Sequence, residues 1–224
     1  MTVLVMTLFL VLVALISTLV IRSNIEKITE VWSPSLEYLQ DLETMTAKYR
    51  IKQYQHLVSS DAATMNSCEE EIQKLESQIK DTSAKLNKII EADRKAQKGK
   101  DDYEAASSAW EGYRANSDEI LQLSRDNKQQ EAAKLMIGEV YENYTSFADK
   151  LTKLCDKFQV ELDQAKTMAN VCTIVIIIVI VAVGLAIAAV TTLIGKIITN
   201  SITEPVEQID AAVASLRKGE LSNV

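Results

Sequence analysis

"MNSCEEEIQKLESQIKDTSAKLNKI", Met65–Ile89, decides how the rest of the chain is read. Met65, Cys68, Ile72, Leu75, Ile79, Thr82, Leu86 and Ile89 step by three and four in turn, with charged and amide side chains filling the gaps. That spacing lays one apolar stripe along a single helix for more than three heptads. So long a stripe needs partners to cover it, and three further seams supply them. Val140, Tyr144, Phe147, Leu151, Leu154 and Phe158 repeat the alternation, with Leu162 near the same line. Tyr103, Ala106, Trp110, Tyr113, Ser117 and Ile120 make another. Ile25, Ile28, Trp32, Leu39 and Leu42 make the last, which continues to Thr46, Tyr49, Gln53 and His56. Four amphipathic rods joined by short breaks predict an all-α fold, an antiparallel four-helix bundle.

The breaks carry their own signals. Asp61 stands where an N-cap belongs. Gly99 is expected to stop the second rod, with Asp101 or Asp102 starting the third. Residues 124–129 separate the third rod from the fourth, and Gly138 is expected to divide the fourth into a short cap and a long rod. Pro34 is a candidate kink in the first. At 1.5 Å per residue the first rod, Arg22–Ser59, rises about 57 Å, and the second, Asp61–Lys98, descends about as far. The third is about a dozen residues too short to match on the same ruler. An extended stretch at 96–104 would cover the gap. By that ruler Cys68 and Cys155 lie roughly 20 Å apart along the axis, far beyond the ~7 Å that a disulfide spans. With Cys172 they number three, widely spaced, which is neither a disulfide framework nor a zinc motif.

The chain has 224 residues and a formal charge of −7, which argues against nucleic acid as a partner. Glycine and proline total eight, six and two, as suits long helices. Hydrophobicity concentrates in two uncharged blocks, Thr2–Ile21 and Thr167–Gly195. A hydrocarbon core of roughly 30 Å takes about 20 helical residues, so each block is long enough to span it. A cleaved signal peptide would show a basic start, a shorter apolar run and a small-residue cleavage site, and the first block has none of these. The expected organisation is a transmembrane helix at 1–21, a bundle domain at 22–170, a second transmembrane helix at 171–195 and a tail at 196–224. Lys196, Arg217 and Lys218 lie beyond one span end and Arg22, Lys27 and Lys166 beyond the opposite ones, so basic flanks leave the orientation open. In the tail, Val206, Ile209, Val213 and Leu216 mark one more apolar helix face after Pro205.

"WSPSLEYLQDLETMTAKYRIKQYQHLVSSD" (Trp32–Asp61), "AWEGYRANSDEILQLSRDNKQQEAAKLM" (Ala109–Met136) and the closing "TEPVEQIDAAVASLRKGEL" (Thr203–Leu221) together resemble bacterial methyl-accepting chemotaxis proteins. The first two look like their four-helix-bundle sensor domain. The third looks like the first helix of a HAMP domain, a parallel coiled coil to which two chains each give two helices. The resemblance covers essentially the whole chain, which reads as the sensor-and-membrane portion of such a receptor. It implies a bundle outside the cytoplasm of a bacterial inner membrane, a HAMP helix inside and a homodimer, in some cases in larger receptor arrays. It also implies control of a cytoplasmic kinase and its adaptor proteins through a region beyond residue 224. A membrane histidine kinase or a cyclic-dinucleotide cyclase shares such a front end and is the alternative reading. Residues 1–224 show no phosphate loop, no nucleophile paired with a base and no metal cluster, so no enzyme activity, cofactor or metal is expected of them. A purely structural or partner-sensing bundle is a further alternative.

The helical ruler sets Arg50, Arg114, Tyr141 and Tyr144 within roughly 10 Å of one another in height. At that level the seams turn polar, with Thr46, Tyr49, Gln53 and His56 on the first rod and Ser117 on the third. A polar core layer calls for water, an internal network or a ligand. Two arginines beside tyrosine and tryptophan suit a carboxylate with an apolar or aromatic body, because a guanidinium grips a carboxylate as a fork. The expected ligand-binding set is Tyr49, Arg50, Gln53, Tyr54, Trp110, Tyr113, Arg114, Ser117, Tyr141 and Tyr144, for a small solute, an organic anion. Solvated arginines and a packed Trp110–Tyr113 pair are the plain alternatives. His56, the chain's single histidine, reads as a paired polar residue rather than a metal ligand. In the aspartate and serine receptors, arginines of the first sensor helix hold the amino acid. Only Arg50 falls at a matching position, so the resemblance does not imply that kind of site. The basic run Arg94–Lys100 reads as a solvated turn, with contact to anionic lipid as the sharper alternative.

Overall fold

The computed structural model describes residues 2–217, all of whose regular elements are helices. Lys218 and the Gly219-Glu220-Leu221 end expected for the last helix lie outside the described residues. The chain divides into two compact units. One holds residues up to Arg22 together with those from Ala169 onward, and the other is Ser23–Met168.

In the first unit, α1 (Thr2–Lys27) and α7 (Glu139–Ile198) each carry a window long and apolar enough to cross a membrane. Leu8, Phe9, Leu15, Ile177, Ile178 and Leu185 are all exposed, as side chains facing lipid would be. A π-helical turn, Thr199–Thr203, leads into α8 (Glu204–Arg217), where Pro205 occupies the first turn. Val206, Ile209 and Val213 of its apolar face are exposed.

The second unit is the bundle. A π-turn, Ile28–Trp32, joins α1 to α2 (Ser33–Val58), and the Ser33 N–H donates to Ile28 O, five residues back. Pro34 has no N–H to give and its ring crowds the carbonyl four residues earlier, so the widened turn takes up the expected kink. Asp61 caps α3 (Ala62–Ala92), accepting from Ala63 N at 3.3 Å and Thr64 N at 2.9 Å. Such a cap adds about 1 kcal/mol.

The second rod ends at Ala92, short of Lys98, because Asp93 leaves the helical conformation. Its carboxylate turns to the N–H groups of Lys95 (2.8 Å) and Ala96 (3.0 Å) and opens a 3₁₀ turn, Ala96–Gly99. Residues 96–104 are thus helical rather than extended, since α4 (Lys100–Arg114) begins at once. Gly99 starts the third rod rather than stopping the second. A Cβ there would lie 2.6 Å from Leu154 Cδ1 and 2.9 Å from Phe158 Cε1.

The third rod breaks at Ala115–Asn116 into α4 and α5 (Ser117–Arg125). Asn127, with φ 56°, ends α5: its N–H reaches Ser124 O and that of Lys128 reaches Leu123 O at 2.9 Å. Asparagine tolerates this left-handed position at a helix end. α6 (Gln129–Ile137) and the break at Gly138 separate the expected short cap from α7.

The seams are buried apart from Ile28, Thr82 and Tyr144, which are half-buried, and with two corrections. Ile25 is half exposed. On α3 the stripe passes from Leu86 to Ile90, not Ile89, because an α-helix gains on a strict heptad by about 20° per repeat. Trp32 packs against Phe158 at 5.5 Å between ring centres, and Leu39, Leu86 and Leu154 are fully buried with them. Burying each such side chain contributes roughly 1.5–3 kcal/mol.

Candidate ligand site

Above this apolar core the polar layer is closed by the protein's own side chains. Tyr113 donates to Gln53 Oε1, and Gln53 Nε2 donates to Ser117 Oγ at 2.8 Å. The Tyr49 hydroxyl lies 2.7 Å from Ser117 Oγ and 3.0 Å from Glu76 Oε1. A carboxylate only accepts, so the Tyr49 proton goes to Glu76 and Ser117 donates to Tyr49. The result is a one-way chain of hydrogen bonds from α4 through α2 and α5 to α3. Burial holds the Tyr49 and Tyr113 hydroxyls above their ordinary pKa, so both stay neutral donors. Thr46 turns its hydroxyl back to Leu42 O at 2.7 Å. A second tie lies one turn higher. His56, with no exposed surface, meets Ser124 Oγ and Glu69 Oε1 at 2.9 Å each, and Arg125 Nε meets the same Glu69 oxygen at 2.7 Å. Those bonds pair both ring nitrogens of His56.

The two arginines stand at opposite ends of the chain of contacts. The Arg50 guanidinium lies 4.7 Å from the ring centres of both Tyr141 and Tyr144 and 5.4 Å from that of Tyr54. Its Nη2 donates to the Tyr54 hydroxyl at 3.1 Å, while its Nε is buried without a hydrogen-bond partner. Among the described residues Arg50 forms no ion pair. Tyr144 links this cluster to the network, its ring 5.4 Å from Tyr113. At the far end Arg114 is nearly half exposed and meets Glu76 at 3.4 Å and Glu111 at 3.3 Å. Trp110 stacks on Tyr113 at 5.4 Å and meets Tyr49 edge-on.

The ten expected residues therefore share a level but not a single pocket. Arg50, Tyr54, Tyr141 and Tyr144 form one cluster on α2 and α7. Tyr49, Gln53, Tyr113 and Ser117 satisfy each other. Trp110 and Arg114 face a groove of about 640 Å3 between α3 and α4. Sequence reasoning missed Glu76 and Glu69, the α3 carboxylates that take the ends of the two networks. Their signal was position: each sits one residue beyond a buried seam residue, Leu75 and Cys68. The basic turn is solvated: Arg94, Lys95, Lys98 and Lys100 are all exposed, with Lys95 pairing with Glu161 at 2.8 Å and Lys100 with Glu104 at 3.6 Å at the surface.

No curated protein matches the chain. A family model described as a four helix bundle sensory module for signal transduction matches residues 1–171. Bundle, paired apolar spans and match agree, and the chain belongs to the family of four-helix-bundle sensory modules of methyl-accepting chemotaxis proteins.

Proposed function

We propose that the chain is the sensory portion of a transmembrane chemoreceptor that binds a small organic anion through Arg50 outside the cytoplasm of a bacterial inner membrane. The carrying observation is a guanidinium walled by three tyrosine rings, with a buried, unpaired Nε and, among the described residues, no carboxylate in an ion pair with it. Cation–π contact with a desolvated charge contributes about 2 kcal/mol or more but leaves Nε without an acceptor, whereas a carboxylate engages Nε and Nη together. Tyr54 and Tyr141 of the cluster are themselves exposed, and an aromatic surface beside a binding group suits coverage by a second copy. The homodimer would bury Arg50 further and sharpen its need for an anion.

The relay follows from α7, which supplies Tyr141 and Tyr144 and runs without interruption from Glu139 to Ile198. An anion that draws Arg50 off those rings changes how α2 holds α7. A displacement of about 1–2 Å at a helix interface is enough to bias a two-state output. α8 would receive it as a HAMP helix and pass it to a cytoplasmic kinase-control module, with no catalytic step in residues 1–224. The test is a thermal-stability panel of the chain in nanodiscs, using amino acids, aliphatic acids and aromatic acids. A ligand at 100 times its dissociation constant adds about 2.7 kcal/mol. The expected result is an acid whose stabilisation vanishes in Arg50→Ala. Stabilisation that survives the substitution would overturn the assignment.

A further inference from the structure

The groove between α3 and α4 is separate from the Arg50 cluster, none of whose residues lines it. Its floor is apolar and aromatic: Leu42, Trp110, Phe147 and Leu151, from three different helices. Each end is closed by a tie between its walls. Below, the Tyr103 hydroxyl donates to Ser83 O at 2.8 Å; above, Arg114 Nη1 reaches Glu76 Oε1 at 3.4 Å. A volume of about 640 Å3 corresponds to on the order of twenty waters at roughly 30 Å3 each, room for a fused-ring body with a head group. It also falls within the usual range of small-molecule sites.

The charges on the walls choose the head group. Glu76 is engaged by Tyr49 and Arg114, and Glu111 by Arg114, so neither carboxylate waits for a cation. Lys80, by contrast, lines the groove and forms no ion pair among the described residues. The Arg114–Glu111 contact is long and solvent-exposed, the kind an incoming anion displaces at small cost.

We infer that this groove is a second ligand site, complete within one protomer, for an aromatic monocarboxylate. Its ring lies along the groove against the exposed edges of Trp110 and Phe147, whose faces are packed in the core, and its carboxylate lies between Lys80 and Arg114. The site goes beyond the Arg50 reading and stands whether or not that reading holds.

Trp110 is one of only two tryptophans, so the site reports on itself. The full chain carrying Trp32→Phe, in nanodiscs, is titrated with 2-naphthoate while Trp110 emission is followed. Equilibrium dialysis of naphthoate against the unsubstituted chain gives the same constant without relying on that variant. The expected result is saturable quenching at one naphthoate per chain, with the uncharged 2-naphthalenemethanol at least tenfold weaker. Lys80→Ala should weaken naphthoate about tenfold. Ser77→Phe, placed on the exposed wall, should abolish binding with helicity unchanged. Arg50→Ala should leave the curve where it is. Non-saturating uptake, equal affinity for the alcohol, or indifference to both Lys80→Ala and Ser77→Phe would overturn the groove while leaving the Arg50 reading intact. Loss of naphthoate binding in Arg50→Ala would overturn the claim of two separate sites.

Discussion

Tyr49→Phe removes one oxygen from the centre of the hydrogen-bond chain and leaves the ring and its packing in place. Two things are lost. The charged bond to Glu76, at 3.0 Å, contributes about 1.5–3 kcal/mol in comparable settings. The Ser117 hydroxyl, 2.7 Å away and fully enclosed, loses its acceptor, and an orphaned buried donor costs about 1–3 kcal/mol. Part of this returns as Glu76 relaxes toward Arg114 and solvent, so the net cost expected is about 2–3 kcal/mol. For a chain of this size that lowers the thermal midpoint by about 4–12 °C. The assay is helical circular dichroism of the nanodisc-held chain on heating. Ser117→Ala breaks the same chain from the other side, so the double variant should cost less than the sum by about 0.5–3 kcal/mol. A Tyr49→Phe midpoint within 1 °C of the parent, or strict additivity with Ser117→Ala, would refute a continuous network.

Three further predictions rest on single features. Gly99→Ala forces a methyl against Leu154 and Phe158, both fully packed, and should cost about 1–3 kcal/mol, read by the same melt. Burial pushes the Cys155 thiol up to about 11, so iodoacetamide at pH 8 should label it about a hundredfold more slowly than in the denatured chain. Glu69 is held below the ordinary carboxylate range, first by the Arg125 hydrogen bond and also by His56, against some desolvation. A depressed folded pKa means its stabilisation is complete above about pH 4.3, the unfolded value, and is lost as pH falls through the lower folded one. Melts between pH 6 and pH 3 should show that loss, and Glu69→Gln should remove this part of the dependence.

The long seams were legible because burial follows the three-four step directly. Met65 to Ile79 and Tyr103 to Ile120 were assigned residue by residue. The stripe parted from expectation where small angular errors accumulate, at Ile89 against Ile90. The short elements were hidden for a different reason. Asp93 reads as one more acidic helix residue until its carboxylate is seen capping the next turn. The site was half legible. A helical ruler gives height, and it set Arg50, Arg114, Tyr141 and Tyr144 at one level. It says little about azimuth. Arg50 flanks the Thr46–Tyr49–Gln53 stripe on the side of α7, and Arg114 flanks Trp110–Tyr113–Ser117 on the side of α3. Two arginines at equal height thus serve different surfaces.

The central claim is that an anion at Arg50 changes how α7 is held, and a distance across that contact tests it. Spin labels at Lys48 on α2 and Lys153 on α7, both exposed, go into the full chain with Cys68, Cys155 and Cys172 replaced by alanine. The measurement is their separation, by pulsed electron resonance in nanodiscs, with and without the acid that stabilises the chain. The account predicts a shift of about 1–2 Å that Arg50→Ala abolishes. An unchanged distance at saturating acid, or an equal shift in Arg50→Ala, would contradict it.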